Sequence, residues 1–232
     1  TLFQNSTGLP DGNHFSSAKD LAKMTSLLIN NFPETYSLYK EKYFTFNNIR
    51  QPNRNRLLWK DNSSDGVKTG HTESAGYCLI SSAKRNDMRL IAVVAGAKSD
   101  KERFNDTQRL LEYGFRFYST QEVIKKDNAL KDVDVWGGKK NLVSLGSENN
   151  IKLTLPRTTF KNITISYDFQ NNLRAPIKEG QTLGTLVIKE GEKTLHTENL
   201  VALNDVEAKG FFGRLWASLV LWFRGLFGLG DA

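Results

Sequence analysis

The 232-residue sequence has a single cysteine and only three histidines. One cysteine excludes a disulfide framework and any zinc site built from several cysteines. That cysteine, Cys78, stands in an apolar run, which predicts a small buried side chain on a strand. The histidines His14, His71 and His196 are far apart and do not form the H-E-x-x-H pattern of metal hydrolases. The sequence therefore predicts no metal site.

Also missing are a signal peptide, an internal repeat and a low-complexity stretch. Residues 1–5 have neither the basic start nor the apolar core of a secretory leader. An exported protein whose leader has been removed would begin in the same way. The sequence therefore remains compatible with export.

The charge balance is basic but mixed. Lysine and arginine number 32 against 25 acidic residues, giving a net charge of +7, and 39% of the residues are hydrophobic. That hydrophobic content is enough for a core and argues against a disordered polymer. Basic residues are interspersed with acidic ones rather than gathered in a stripe, so nucleic-acid binding is not predicted. A basic surface suits an anionic partner such as a membrane surface.

The first segment, residues 1–64, begins as a loop and is predicted to become helical after Ser17. Asp20 follows Ser17 at the spacing of a capping box. Apolar residues then recur at helical spacing: Leu21, Met24 and Leu28. Together they predict a helix over about 18–29, and the later residues 43–60 are predicted to be irregular and basic.

Residues 65–118 are predicted to form three strands followed by a helix. The strands are expected at 67–70, 77–81 and 88–95, with short connections that favour an antiparallel sheet. The helix is expected to pack on that sheet through an apolar face: Phe104, Leu110, Leu111 and Phe115. This arrangement predicts an α+β fold.

Residues 119–208 contain short β-like runs separated by turns that carry glycine and charged residues. The runs are 151–155, 163–167, 185–188 and 200–203. Strands at this spacing predict a small all-β domain, either a sandwich or a barrel-like arrangement. A domain boundary is therefore expected near residue 119, so that residues 1–118 form the first domain.

The last segment, residues 209–232, is rich in aromatic and aliphatic side chains. The uncharged run between Arg214 and Arg224 is far shorter than the about 20 apolar residues that cross a bilayer. An amphipathic helix lying in the headgroup region fits better, with its arginines turned toward water. Its predicted anchoring residues are Phe211, Phe212, Leu215, Trp216, Leu219, Trp222, Phe223, Leu226 and Phe227. The alternative is a C-terminal helix docked on a neighbouring domain or on a second copy of the chain.

Lys68-Thr69-Gly70 is the stretch with the clearest chemical meaning. The turn residues Asp65-Gly66 lead into it as a short strand. A strand beside a cleft can receive an extended peptide by backbone pairing. There the lysine would supply positive charge, the threonine a hydroxyl for a substrate carboxylate, and the glycine room for close approach. The alternative is a surface strand with an ordinary lysine, because a tripeptide alone is a weak signal.

The run Asp65–Thr72 (DGVKTGHT), followed by Ala75-Gly76-Tyr77, resembles the third motif of the low-molecular-mass penicillin-binding proteins, which are serine-type D-alanyl-D-alanine carboxypeptidases. Further runs fit the same family: Phe3-x-Asn5-x-x-Gly8-Leu9, His14-x-Ser16-Ser17-Ala18-x-Asp20, Tyr39-Lys40-Glu41 and Asn53-Arg54-Asn55. The β-rich segment and the tail are similar to the second domain and membrane anchor of the penicillin-binding protein 5 and 6 type. The resemblance implies part of a serine β-lactamase/transpeptidase-like domain, an antiparallel sheet with packed helices, before the β domain.

The resemblance also implies roles for the residues of this motif. Lys68 and His71 are expected to be catalytic, with the backbone N–H of His71 forming half of an oxyanion hole. Thr69 would bind the terminal carboxylate of the D-Ala-D-Ala stem peptide. Lys68, Gly70 and His71 would line the same substrate-binding cleft.

Two arginines match basic residues near the family's cleft. Arg103, on the helix after the sheet, is expected to help hold the substrate carboxylate, and Arg54 is expected to lie near the cleft. The alternative for each is an exposed ion pair, which contributes little to stability.

The family's nucleophile lies in a Ser-x-x-Lys motif upstream of the point where this chain begins, and so does its Ser-x-Asn motif. Ser16 and Lys19 have the spacing of the first motif, but they fall at the predicted helix cap. The resemblance therefore implies that this chain lacks the nucleophile and is inactive alone.

The family's reaction attacks the carbonyl of the penultimate D-Ala, releases the terminal D-Ala and hydrolyses the acyl-enzyme, without a metal or organic cofactor. β-Lactam antibiotics are expected to inhibit the full-length enzyme. The tail predicts peripheral attachment to an anionic membrane surface, and the family resemblance implies that this surface is the periplasmic face of the bacterial inner membrane. The alternative function is a non-catalytic, membrane-anchored module that recognises peptidoglycan or a partner protein.

Overall fold

The computed structural model describes residues 1–170 and 172–210. The chain divides into two compact units, Thr1–Ser119 and a second that begins at Thr120. The predicted amphipathic helix of the tail lies outside the described residues, apart from 209 and 210, so the structure gives it no support. Within the described residues, no helix combines the length and the apolar character needed to cross a membrane.

The first unit begins with a loop and two helices. Helix α1 (Ala18–Asn31) is capped by Ser17, whose Oγ accepts a hydrogen bond from the Asp20 backbone N–H at 3.1 Å. The predicted helix and its cap are therefore confirmed. A short helix α2 (Pro33–Ser37) follows, with proline in its first turn, and then a 3₁₀ turn (Leu38–Lys40).

The region predicted to be irregular contains a β-hairpin. Strands β1 (Tyr43–Phe46) and β2 (Ile49–Pro52) pair antiparallel across a two-residue turn. Both turn residues, Asn47 and Asn48, have positive φ angles of 48° and 61°, which is the backbone that a tight hairpin requires. The short helix α3 (Leu57–Lys60) then leads to the main sheet.

The main sheet of the first unit has three strands, β3 (Ser64–Thr72), β4 (Gly76–Arg85) and β5 (Met88–Ala97). They are antiparallel and lie in the order β3-β4-β5. Helix α4 (Asp100–Phe117) packs on this sheet. The predicted antiparallel sheet with a packed helix is therefore confirmed. Its buried core consists of Leu57, Leu79, Ala83, Met88, Ala92, Phe104, Leu111 and Phe115.

One residue predicted for this core is misplaced. Leu110 is 49% exposed, although Phe104, Leu111 and Phe115 of the same helix are buried. Leu110 lies about a third of a turn around the helix from that face, because successive residues are rotated by about 100°. Thr107 occupies the buried position instead.

The second unit is an all-β domain within the described residues, apart from a 3₁₀ turn at Thr159–Lys161. Its strands are β6 Tyr118–Ile124, β7 Lys131–Trp136, β8 Leu142–Ser147, β9 Ile151–Pro156, β10 Ile163–Phe169, β11 Leu173–Arg174, β12 Thr182–Glu190 and β13 Lys193–Ala202. Six of them lie in the order β10-β12-β13-β8-β7-β11, and β6 pairs with β9. The core of this unit includes Val143, Leu145, Leu186, Ile188 and Leu200. The predicted β domain is confirmed, with more strands than the four that the sequence indicated.

Candidate functional site

The predicted motif lies on β3, which is an edge strand among the described residues because it pairs with β4 on one side only. Lys68 and Gly70 are exposed, whereas Thr69 between them is 9% exposed. Successive side chains of a strand point to opposite faces. The lysine and the threonine therefore leave β3 on different faces, and what they share is its free edge.

Lys68 makes one side-chain hydrogen bond at this edge. Its Nζ donates a hydrogen bond to the carbonyl oxygen of Thr69 at 2.7 Å. An ammonium group has three N–H donors, so this bond leaves two for a ligand. The exposed position of Lys68 suits recognition of an anionic group.

Gly70 leaves open space beside the strand. A Cβ atom built on Gly70 would have one neighbour within 4 Å, the Cβ of Cys78 at 3.8 Å. Cys78 itself is half-buried, and its Sγ lies 3.5 Å from the carbonyl oxygen of Ala75. The expectation of a fully buried cysteine is therefore wrong, because Cys78 faces the same open side of the sheet as Gly70.

His71 lies next along the strand and is exposed. Its ring packs against Tyr77, the residue opposite it on β4, with ring centroids 4.0 Å apart. This contact orients the imidazole at the end of the edge strand. The predicted oxyanion role of the His71 backbone N–H stays a prediction.

Arg103 is brought next to the motif from helix α4, but its guanidinium is committed to the protein. Nη1 donates to the carbonyl oxygens of Gly70 at 2.9 Å and Cys78 at 3.2 Å, and Nη2 bonds to the Asp100 carboxylate. Its side chain is only 8% exposed, and the guanidinium lies 5.3 Å from the Tyr77 ring centroid. Arg103 therefore ties β3 and β4 to α4, and the direct carboxylate contact expected for it stays a prediction.

Arg54 is exposed on the loop between β2 and α3. Its neighbour Arg56 forms an ion pair with Asp100 at 3.1 Å, which links this loop to the start of α4. The predicted contact of Arg54 with substrate stays a prediction.

The start of β3 is held by a polar network that sequence reasoning missed. Arg89 of β5 makes a two-fold hydrogen bond to the Asp65 carboxylate, with both distances 2.8 Å. The hydroxyl of Tyr36 donates to the same carboxylate at 2.6 Å, and Arg89 also bonds to Ser82 at 2.6 Å. Burial, together with the hydrogen bond to Asp65, raises the pKa of Tyr36 to about 12. Asp65-Gly66 suggested only a turn, and no spacing in the sequence links Asp65 to Arg89.

Ser-x-x-Lys spacing occurs at Ser16–Lys19, Ser37–Lys40 and Ser81–Lys84, of which sequence reasoning considered only the first. Ser16 shares a hydrogen bond with Thr1, Ser37 donates to the Glu34 carbonyl, and Ser81 donates to the Gly66 carbonyl. On strand β4, Ser81 and Lys84 point to opposite faces. Each of these serines has a local structural contact.

A Ser-x-Asn triplet, which sequence reasoning overlooked, occurs at Ser147-Glu148-Asn149 in the second unit. The Ser147 hydroxyl accepts from the Asn149 N–H at 3.2 Å and donates to the Asn149 carbonyl at 2.8 Å. It therefore closes the turn after β8.

Two glycines of β3 are expected to respond differently to the same added methyl group. A Cβ on Gly66 would lie 2.8 Å from the Tyr36 hydroxyl oxygen, which is fixed by Asp65. Gly66→Ala is therefore expected to destabilise the first unit by about 1–3 kcal/mol through overpacking. Gly70→Ala meets only an ordinary contact with Cys78, so its melting temperature is expected to match the wild type. Its methyl group crowds the sheet face beside the strand edge and is expected to slow reaction with a β-lactam by about tenfold.

Thermal denaturation of both variants and the rate of β-lactam acylation of the full-length natural protein test this pair. A Gly70→Ala variant that reacts at the wild-type rate contradicts the placement of a ligand along this edge. An unchanged melting temperature for Gly66→Ala contradicts the tight Tyr36 contact.

The α+β unit with its Lys-Thr-Gly edge strand and the following all-β unit define a penicillin-binding transpeptidase-like class of protein with a second β domain. Residues 1–99 match the family described as D-alanyl-D-alanine carboxypeptidase, and residues 118–208 match the C-terminal domain of penicillin-binding protein 5. The chain belongs to the D-alanyl-D-alanine carboxypeptidases of the penicillin-binding protein 5 and 6 type.

Individual relatives agree with this assignment. D-alanyl-D-alanine carboxypeptidase DacC of Escherichia coli is 46% identical over 98% of this chain and 58% of its own length. The corresponding DacF of Bacillus subtilis is 36% identical over 97% of this chain and 59% of its own length. The crystal structure of penicillin-binding protein 5 from Haemophilus influenzae, 39% identical, matches with a TM-score of 0.76 over 89% of this chain and 61% of that one. The chain thus spans less than two thirds of the length of these relatives.

Proposed function

We propose that this chain is part of a penicillin-sensitive serine D-Ala-D-Ala carboxypeptidase that trims peptidoglycan stem pentapeptides. The observation that carries the proposal is the Lys68-Thr69-Gly70 run on the free edge of β3, with an exposed cation and an open side beside it. A free strand edge can accept an extended peptide through backbone hydrogen bonds. The names of the relatives support the same reaction.

In the proposed reaction the stem peptide lies along β3 with its terminal carboxylate near Lys68 and Thr69. A serine Oγ attacks the penultimate D-Ala carbonyl, passes its proton to a base, and the His71 backbone N–H donates to the developing oxyanion. The C–N bond then breaks, the terminal D-Ala leaves with a proton on its nitrogen, and an acyl-enzyme ester remains. Water hydrolyses the ester and restores the serine.

We place the nucleophilic serine outside residues 1–232. Ser16 lies beside the α1 cap and bonds to Thr1, and Ser37 and Ser81 bond to backbone carbonyls, so each of the Ser-x-x-Lys serines in this chain serves local structure. A catalytic serine instead needs an adjacent base that takes its proton.

A labelled penicillin tests the proposed function. The natural protein at full length is expected to form a stoichiometric covalent adduct and to release D-alanine from a pentapeptide, with release blocked by the penicillin. Residues 1–232 alone are expected to form no adduct. An adduct on Ser16 contradicts the placement of the nucleophile, and a full-length protein that neither binds penicillin nor releases D-alanine contradicts the function.

For localisation, we propose peripheral attachment to the periplasmic face of the bacterial inner membrane through residues 209–232. Burying a large apolar side chain contributes roughly 1.5–3 kcal/mol, so six half-buried ones contribute about 5–9 kcal/mol. Each basic residue near an anionic surface adds only about 1 kcal/mol. The apolar contribution therefore dominates the predicted binding.

Membrane fractions washed with salt and with detergent test this anchor. High salt is expected to leave the protein on the membrane, because salt screens only the electrostatic part, whereas detergent is expected to release it. Deletion of residues 209–232 is the control and is expected to give a soluble protein. Clean release of the intact protein by salt contradicts an apolar anchor.

A further inference from the structure

The carbonyl oxygen of Gly66, two residues before Lys68, is held by two buried side chains. It accepts a hydrogen bond from Asn55 Nδ2 at 2.8 Å and another from Ser81 Oγ at 3.0 Å. Asn55 is 1% exposed and Ser81 is fully buried. Both donors are therefore shielded from water. Hydrogen bonds are stronger in such a buried environment than in water, and they hold their geometry more firmly there.

The orientation of Asn55 is itself fixed. Its Oδ1 accepts the backbone N–H of Leu57 at 3.2 Å, and its own backbone N–H donates to Asn53 Oδ1 at 2.9 Å. Since Oδ1 is occupied by a donor, the amide nitrogen must face Gly66. Leu57 is a fully buried member of the core of the first unit. A continuous connection therefore runs from that core through Asn55 to Gly66.

These contacts act where the strand is irregular. The pairing of β3 with β4 shifts register between Ser64 and Gly66, and regular pairing resumes with Gly66 opposite Ser82 and continues to Lys68 opposite Ile80. Moving a strand by one residue exchanges the faces of all its side chains. Such a slip would bury Lys68 and expose Thr69. The hydrogen bonds to the Gly66 carbonyl therefore decide whether the Lys68 ammonium group is exposed.

We propose that Asn55 and Ser81 are positioning residues of the candidate site, which set the register of Lys68-Thr69-Gly70 by holding the Gly66 carbonyl. Neither residue needs to touch substrate. Their effect passes through the backbone from Gly66 to Lys68, and its catalytic consequence rests on the proposed carboxypeptidase function. Arg89 holds Asp65 through two hydrogen bonds. Asn55 and Ser81 add a second attachment at the next residue, Gly66.

The test uses Asn55→Asp, Ser81→Ala and the double variant in the full-length natural protein. Asn55→Asp keeps the acceptor for Leu57 and removes the donor to Gly66, and Ser81→Ala removes the second donor. Thr25→Val is the matched control, because it also removes a buried hydroxyl bonded to a backbone carbonyl, here Leu21 of α1, away from β3. Each variant is assayed at the same interval below its own melting temperature, so that loss of stability does not enter the comparison.

The double variant is expected to lose about 10- to 100-fold in the rate of acylation by penicillin, because small displacements of positioned groups cost that much. Thr25→Val is expected to stay within about twofold of the wild type, as a site away from β3 should. If Asn55→Asp fails to fold, Ser81→Ala alone tests the role, and it is expected to show a smaller loss of acylation rate than the double variant. Wild-type acylation rates in Ser81→Ala and the double variant contradict the positioning role.

Amide hydrogen exchange gives a readout that does not depend on activity. Exchange at residues 67–69 is expected to accelerate about tenfold in Ser81→Ala and in the double variant, and to remain unchanged in Thr25→Val. Unchanged exchange at these amides contradicts the proposal even if acylation falls. If the wild-type protein is never acylated, the proposed carboxypeptidase function fails, while the exchange data still decide whether Asn55 and Ser81 hold the strand.

Discussion

Replacing Lys68 by methionine is expected to lower the rate of acylation by penicillin about 100- to 1,000-fold, the range for loss of one preorganised electrostatic group. Methionine keeps the length of the side chain and leaves the backbone of β3 unaltered, but it removes the cation from the strand edge. Because Lys68 is exposed and its one hydrogen bond goes to the neighbouring Thr69 carbonyl, the melting temperature is expected to change little. Single-turnover labelling of the full-length natural protein measures the rate.

Lys84→Met is the control for this prediction. Lys84 is also exposed and lies on the adjacent strand β4, near its far end. The Lys84→Met variant therefore loses the same charge from the same sheet, but away from the motif. It is expected to be acylated by penicillin at the wild-type rate. If both variants lose the same factor in acylation rate, the loss comes from the change in net charge and not from the position of Lys68. A near-normal acylation rate in Lys68→Met would exclude Lys68 from the mechanism.

The second large effect is expected at Arg103. Arg103→Met is predicted to destabilise the first unit by about 2–4 kcal/mol, the cost of leaving two partly shielded carbonyl oxygens without their donor. The substitution leaves the carbonyls of Gly70 and Cys78 without the Arg103 donor, whereas Asp100 keeps its ion pair with Arg56. Arg103→Lys is not expected to restore stability, because an ammonium cannot reproduce the planar geometry of the guanidinium.

Urea unfolding followed by NMR signals of β4 measures this loss. Arg109→Met provides the control on the same helix, since Arg109 is 79% exposed and its ion pair with Asp106 is 3.6 Å long. An exposed pair contributes little, so its stability is expected to stay near the wild type. An Arg103→Met variant that keeps its stability but needs more substrate to reach the same rate would favour the direct carboxylate contact suggested by the sequence.

Much of the fold could be predicted from local patterns. The Ser17 cap and the strands expected at 77–81 and 88–95 depend on residues close in sequence, and they agree with the structure. The apolar spacing of Leu21, Met24 and Leu28 predicted helix α1, but Met24 is 48% exposed and Thr25 is the buried residue. The hairpin β1–β2 was missed although Asn47-Asn48 carries its signal, because asparagine tolerates positive φ angles.

The candidate site was only partly predictable. Its motif is contiguous, so Lys68, Thr69 and Gly70 could be recognised together. The contacts that hold the motif join residues distant in sequence: Asp65 with Arg89, Asn55 with Gly66, and Arg103 with Gly70. These pairings arise from sheet register and helix docking, which periodicity does not reveal. The burial of Arg103 likewise depends on how α4 docks on the sheet, which the sequence pattern does not show.

A crystal structure of the full-length natural protein acylated by a penicillin would show whether β3 borders the substrate site. The bound drug is expected to lie along the edge of β3, with its carboxylate within hydrogen-bond distance of Lys68 or Thr69 and its ester carbonyl oxygen near the His71 N–H. An acyl group found away from this edge, with Lys68 still bonded only to the Thr69 carbonyl, would exclude β3 from the substrate site.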